Sequence, residues 1–108
     1  MKIANAFSLN MLNDLFCSVD VTILDKEEVV EMLVGSPPQS YVGHQSTAAV
    51  MSHELGVDIP CNRDTLELLI GNELVVCQYR GPRLPEGATK LPDGAEMIWL
   101  HLKVRAQW

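Results

Sequence analysis

Residues 18–23 alternate polar and apolar side chains, with Val19, Val21 and Ile23 set between Ser18, Asp20 and Thr22. A period of two puts the apolar side chains on one face, so this stretch predicts a half-buried strand. The period then lengthens. Val29, Val30, Leu33 and Val34 follow helical spacing, Asp25 and Glu28 stand three apart as a capping-box variant, and Gly35 is a natural stop. A second helical pattern carries Val50, Met51 and Leu55 on one face and meets Gly56 as its terminating glycine. Near the start, residues 2–7 read as a short strand. A short helix follows, capped by Ser8 or Asn10, with Leu9, Met11, Leu12, Leu15 and Phe16 as its apolar set. Residues 36–40 contain two prolines and predict a rigid loop, and residues 57–60 a short extended piece. Residues 65–70, a Gly71-Asn72 turn and residues 73–79 predict a hairpin. Residues 84–94 are rich in proline and glycine and would be ordered only by their contacts; residues 97–104 alternate again as a final strand. The expected architecture is a mixed α/β (α+β) domain over residues 1–108, with about five strands in a mixed sheet flanked by three helices.

Composition narrows the class of function. At 108 residues there is room for one core. With 47% hydrophobic and 20% charged residues the chain is neither disordered nor membrane-spanning in pattern, since no run approaches the roughly 18–20 apolar residues of a spanning helix. Asn5, Ser8 and Asn10 interrupt any signal-peptide core, so a cytoplasmic location is expected. Three cysteines, at 17, 61 and 77, lack C-x-x-C spacing, which argues against a disulfide framework or zinc ribbon and for a reducing compartment. Cys61 and Cys77 read as core residues. The three histidines lack metal-ligand spacing, and no metal or other cofactor is expected. A net charge of −6 disfavours long nucleic acid, which is held by lysine and arginine contacts to phosphates. All four arginines, however, lie in the second half, at 63, 80, 83 and 105, so a local anion site is compatible with an acidic whole. A chain this small is also plausible as a dimer.

The segment Gly43-His44-Gln45-Ser46-Thr47 opens the second helix. A helix N-terminus offers unpaired N–H groups and partial positive charge, so anions dock there. Ser46 and Thr47 add hydroxyls, Gly43 allows close approach, and His44 stands where it can give a proton to a phosphate ester. The competing reading is plain capping by Ser46 or Thr47, with His44 an exposed loop residue. Arg83 follows a Gly-Pro break and suits a bidentate clamp on phosphate, with Glu86 as a base or an orienting group; the alternative is a surface Arg–Glu pair of little worth. Arg63, after Asn62, is a second clamp or a solvated charge. Asn5, Ser8 and Asn10 stand at a strand-to-helix junction, where α/β folds bind ligands or simply cap helices. His53 falls in the last turn of its helix, where a cation is favoured, and His101 sits half-exposed in a strand.

Taken together, Asn5-Ala6-Phe7-Ser8-Leu9-Asn10-Met11-Leu12, Val42-Gly43-His44-Gln45-Ser46-Thr47, Leu55-Gly56-Val57 with Asn62-Arg63, and Arg83-Leu84-Pro85-Glu86-Gly87 resemble the viral ring nucleases. These are small anti-CRISPR proteins of archaeal viruses and phages, with bacterial relatives, that degrade the cyclic tetra-adenylate messenger of type III CRISPR defence. The resemblance spans nearly the whole chain. It implies a homodimer that binds the ring in a two-fold cleft and cuts it without a metal into linear di-adenylates ending in 2′,3′-cyclic phosphate. It implies His44 as general acid, Glu86 as an active-site carboxylate and Arg83 on the scissile phosphate. Asn5, Ser8, Ser46, Thr47, Arg63 and Gln78 match ligand-binding positions. The chain departs from the pattern in two places. It is one residue longer than some relatives between Gln78 and Arg83, where Gly81-Pro82 lies, and it carries Gln45 where relatives can carry an acid. A module that binds the nucleotide without cutting it is the alternative.

Overall fold

The computed structural model describes residues 1–13 and 16–106. Its elements are strand β1 (Lys2–Ala4), a 3-10 turn (Leu9–Met11), β2 (Cys17–Leu24), helix α1 (Lys26–Gly35), β3 (Gln39–Ser40), helix α2 (Gln45–Leu55), β4 (Glu73–Arg80) and β5 (Glu96–Ala106). The strands form one mixed sheet in the order β2-β5-β4-β1-β3. β1 runs parallel to both β3 and β4, and β5 runs antiparallel to both β2 and β4. Both α-helices pack on one face. Val29 and Leu33 of α1, with Ala48, Met51 and Leu55 of α2, bury against Ile3, Leu24, Val75, Cys77 and Trp99 of the sheet. Among the described residues no helix is long and apolar enough to cross a membrane.

Local sequence determines the helices. The capping box at α1 is complete: Asp25 Oδ1 accepts from the Glu28 amide at 2.8 Å, and Glu28 Oε1 accepts from the Asp25 amide at 3.1 Å. Gly35 is the last residue of α1, and α2 ends on Gly56, which takes the left-handed conformation at φ 67° that costs glycine least.

Several expectations are corrected, all where pairing is non-local. The first strand stops at Ala4, and the helix after Ser8 is a single 3-10 turn; Ser8 Oγ donates to Asn10 Oδ1 at 2.6 Å instead of capping. Leu9 and Phe16 are exposed, and Leu15 lies outside the described residues. Among the described residues two α-helices form rather than three. Residues 39–40, expected as loop, make β3, because the amides of Gln39 and Tyr41 donate to the carbonyls of Met1 and Ile3. The hairpin does not form. Residues 65–70 contribute only an isolated bridge from Leu68 to Leu12, and β4 pairs with β5 and β1 instead. Leu66 and Leu68 cross the sheet face opposite the helices, where they bury with Ala4, Leu74, Val76, Leu102 and Val104. Alternation thus marks a covering segment there, not a paired strand.

That second face is covered only in part. Val19 packs into it, but Val21 and Ile23, expected half-buried, are 59% and 74% exposed on the edge strand. Cys77 is buried as expected, whereas Cys61 is exposed, because it lies in the loop beyond Pro60 and joins the sheet only through a bridge to Val42.

Candidate functional site

The parallel strands β1, β3 and β4 all point their C-terminal ends the same way, and in sheets of this kind ligands bind beyond those ends. The chain leaving β3 runs through Gly43 to His44 and into α2. Tyr79 stands at the end of β4, and the chain leaving it carries Gly81, Arg83 and Glu86. Together they wall an open cleft of about 980 Å³, lined by His44, Gln45, Ser46, Thr47, Arg63, Tyr79, Gly81, Arg83, Leu84, Pro85 and Glu86. The fold therefore brings six of the nine expected site residues into one concavity.

His44 is the N-cap of α2, with extended φ and ψ of −124° and 126°, and its side chain makes no capping bond. Ala48 donates the first helical bond, to the His44 carbonyl at 2.9 Å. The amides of Gln45, Ser46 and Thr47 have no acceptor within the helix, by the geometry of any helix start. Capping by Ser46 or Thr47 is thus not what this segment does. Ser46 Oγ instead reaches across the cleft to the Pro85 carbonyl, at 3.4 Å, beside Glu86.

Two strand-to-loop ties hold the His44 segment in place. Buried Ser40 accepts from the Val42 amide at 3.1 Å and donates to the Pro60 carbonyl at 2.6 Å. Asn62 returns the tie: its side-chain amide donates to the Ser40 carbonyl at 2.8 Å and its backbone amide to the Val42 carbonyl at 2.8 Å. Arg63 then donates from Nε to the Gly43 carbonyl at 2.7 Å, which fixes the guanidinium one residue from His44. The Asn62-Arg63 pair therefore divides its work: the asparagine builds the loop and the arginine faces the cleft. Ser40 and Asn62 carried no assigned role in the sequence, because their partners lie about twenty residues away.

The charges in the cleft are Arg63, Arg83 and Glu86. Among the described residues neither Arg63 nor Arg83 makes a salt bridge, whereas Arg80 faces Glu96 at 4.0 Å and Arg105 grips Asp20 at 2.6 Å. The expected surface pair of Arg83 with Glu86 is not formed. Two cations without carboxylate partners, converging with an uncapped helix start, make a site for an anion with oxygens in several directions.

The other three expected residues lie elsewhere in a single chain. Asn5 and Gln78 line a separate recess of about 380 Å³ with Ala6, Phe7, Val76 and Leu100, on the sheet face away from the helices. Ser8 is exposed in the bend beyond β1. Of the remaining histidines, His53 sits 3.9 Å from Glu54 at the end of α2, and His101 Nε2 lies 2.9 Å from Glu73 Oε1 across β4 and β5. Among the described residues no three His, Cys, Asp or Glu side chains converge as a metal-holding group.

Comparison with known proteins bears on the fold and the family. No curated protein matches the chain. Among solved structures, B116 of Sulfolobus turreted icosahedral virus (STIV) superimposes with a TM-score of 0.78 at 23% identity, covering 94% of this chain and 97% of that one. At that identity the likeness establishes the shared fold. The model of the STIV B116-like family matches residues 1–105, nearly the whole sheet and both helices, and the chain is a member of that family.

Proposed function

We propose that this protein is a metal-independent ring nuclease that cuts cyclic tetra-adenylate and so silences type III CRISPR signalling. The observation that carries the proposal is the meeting of His44, Arg63, Arg83 and Glu86 at the uncapped start of α2. In this reading a ribose 2′-hydroxyl attacks the adjacent phosphate. The nucleophile is already tethered to its target, so proximity supplies much of the acceleration and no metal is required to generate it. Glu86 accepts the proton of the attacking 2′-hydroxyl, His44 protonates the departing 5′-oxygen, and Arg83 and the first amides of α2 take up charge on the phosphoryl oxygens. Products are linear di-adenylates ending in 2′,3′-cyclic phosphate.

A four-phosphate ring has two-fold symmetry, which a homodimer matches with two equivalent sites. The exposed strip on the sheet supports a second copy as its occupant. Val21 and Ile23 stand beside Leu102 and Leu100 in the β2–β5 register, and Leu100 also lines the recess of Asn5 and Gln78. Covering that strip draws the recess toward the partner and gives Asn5, Gln78 and Ser8 a route to the shared ligand.

The test is incubation of the purified protein with labelled cyclic tetra-adenylate in EDTA, at many equivalents of ring per protomer. Conversion to di-adenylates supports the reading; an intact ring overturns it. A sequestering binder is the second reading, favoured by one observation: no hydrogen bond fixes the His44 side chain among the described residues. Tight binding with an intact ring would establish the binder.

A further inference from the structure

We infer that Tyr79 is a positioning residue for Arg83, acting through the Gly81-Pro82 turn; its catalytic consequence rests on the function proposed above. Tyr79 is the penultimate residue of β4, half-buried, with its ring in the wall of the cleft. Its hydroxyl donates a short hydrogen bond to the Pro82 carbonyl. That carbonyl belongs to the peptide that leads directly into Arg83.

Two further restraints act on the same turn. Gly81 has a φ of +154°, and a Cβ placed there would fall 2.6 Å from Ala95 Cβ and 2.9 Å from Ala95 Cα. The turn is therefore pressed against the chain entering β5, at a spacing that only glycine allows. Pro82 has its own φ fixed by its ring. Arg83 itself is exposed and has no carboxylate partner among the described residues, so its side chain is not held by any ion pair. The backbone restraint is what gives the guanidinium a defined origin. The other end of the segment is tied similarly, since the Pro85 carbonyl accepts from Ser46 Oγ at 3.4 Å and from the Ala88 amide at 3.1 Å. Arg83 and Glu86 thus each follow a carbonyl that a hydroxyl holds, Tyr79 before Arg83 and Ser46 before Glu86. Tyr79 has no other assigned task.

The test compares Tyr79→Phe, which keeps the ring and removes only the hydroxyl, with wild type by two readouts. The first is amide hydrogen exchange without ligand. Faster exchange at Arg83, Leu84 and Glu86 by about 5-fold or more, with α2 unchanged, supports the anchor; unchanged loop exchange overturns it. The second is single-turnover cleavage of cyclic tetra-adenylate. A rate lowered about 10-fold, with the half-saturating ring concentration within about 2-fold, is the signature of misplaced chemistry rather than lost binding. Equal losses in rate and affinity, or no loss, overturn the positioning role. In an Arg83→Lys background Tyr79→Phe should slow cleavage by less than about 2-fold further, because both changes act through one group; a full second loss overturns the coupling. Gly81→Ala, which displaces the same turn by a different contact, should reproduce the pattern. An intact ring with wild-type protein overturns the cleavage reading and the catalytic half of this inference, while the exchange comparison still decides the anchoring half.

Discussion

Replacing His44 with alanine should separate the proposed catalysis from folding. The imidazole is exposed, makes no capping hydrogen bond and sits on extended backbone that any residue adopts. No hydrogen bond or ion pair of the imidazole is lost among the described residues, so stability should change by less than about 0.5 kcal/mol. Asp25→Ala is the internal standard. It removes an N-cap whose side chain accepts a 2.8 Å hydrogen bond, and such caps contribute about 1 kcal/mol. In a domain of this size that lowers the melting temperature by about 4 °C. Catalysis should show the opposite order. Losing a general acid costs about 10²–10⁴-fold, or about 2.7–5.4 kcal/mol on the barrier. The assay is single-turnover cleavage of labelled cyclic tetra-adenylate in EDTA, with thermal melts of both variants and an equilibrium binding curve for each. His44→Ala should melt with wild type, bind the ring and leave it uncut; Asp25→Ala should melt early and still cut. Cleavage by His44→Ala within about 3-fold of wild type would refute the acid role. A melting loss as large as that of Asp25→Ala would refute the view that α2 begins without a side-chain cap.

Two further outcomes follow from burial. Ile23→Glu places a charge on the exposed strip of β2, which a second copy is proposed to cover. It should give a folded monomer by light scattering with greatly reduced cleavage, and a variant that stays dimeric or cuts at the wild-type rate would exclude that strip as the interface. Burial pushes the Cys77 thiol from 9.0 up to about 12, with Glu54 nearby adding to the effect. Above pH 9 the unfolded chain releases this proton and the folded chain does not, so stability is full below pH 9 and falls between pH 9 and about 12, by up to ~1.4 kcal/mol per unit. Cys77→Ala should flatten that limb in urea melts at stepped pH, and thiol labelling of the native protein at neutral pH should modify exposed Cys61 and spare Cys77.

What could be read in advance was local. The capping box of Asp25 and Glu28, the glycine after Leu55 and the alternation in β2 depend on neighbours within a few residues, and each element stands where the pattern places it. β3 was hidden because two prolines precede it and its pairing with β1 depends on backbone more than thirty residues away. Residues 65–70 misled because Leu66 and Leu68 alternate as a strand does while lying across the sheet. The candidate site divides in the same way. His44, Ser46, Thr47, Arg63, Arg83 and Glu86 could be recognised by type and spacing, and the fold gathers them. Ser40, Asn62 and Tyr79 could not be given their tasks, because nothing in the sequence says which carbonyl each side chain meets. They matter only through the carbonyls they meet: those of Pro60, Ser40 and Pro82.

The acidity of the chain takes on a different meaning once its charges are placed. A net charge of −6 counts against a polyanion, which must lie along an extended surface and gathers its affinity from many separate phosphates. A compact anion depends on the charges within about a Debye length, some 8–10 Å. The sheet neutralises Arg105 with Asp20 and Arg80 with Glu96 outside the cleft, and it leaves Arg63 and Arg83 without carboxylate partners inside it. The start of α1 is closed by its own acids, while the start of α2 is left without a side-chain cap. The two arginines without carboxylate partners thus stand together in one concavity, within a chain whose net charge is −6. For the cyclic oligonucleotide proposed above as ligand, this arrangement would favour the ring over the large excess of cellular RNA, because a compact molecule meets the two arginines without laying further phosphates along an acidic exterior, and tight binding of generic single-stranded RNA at physiological salt would refute that reasoning.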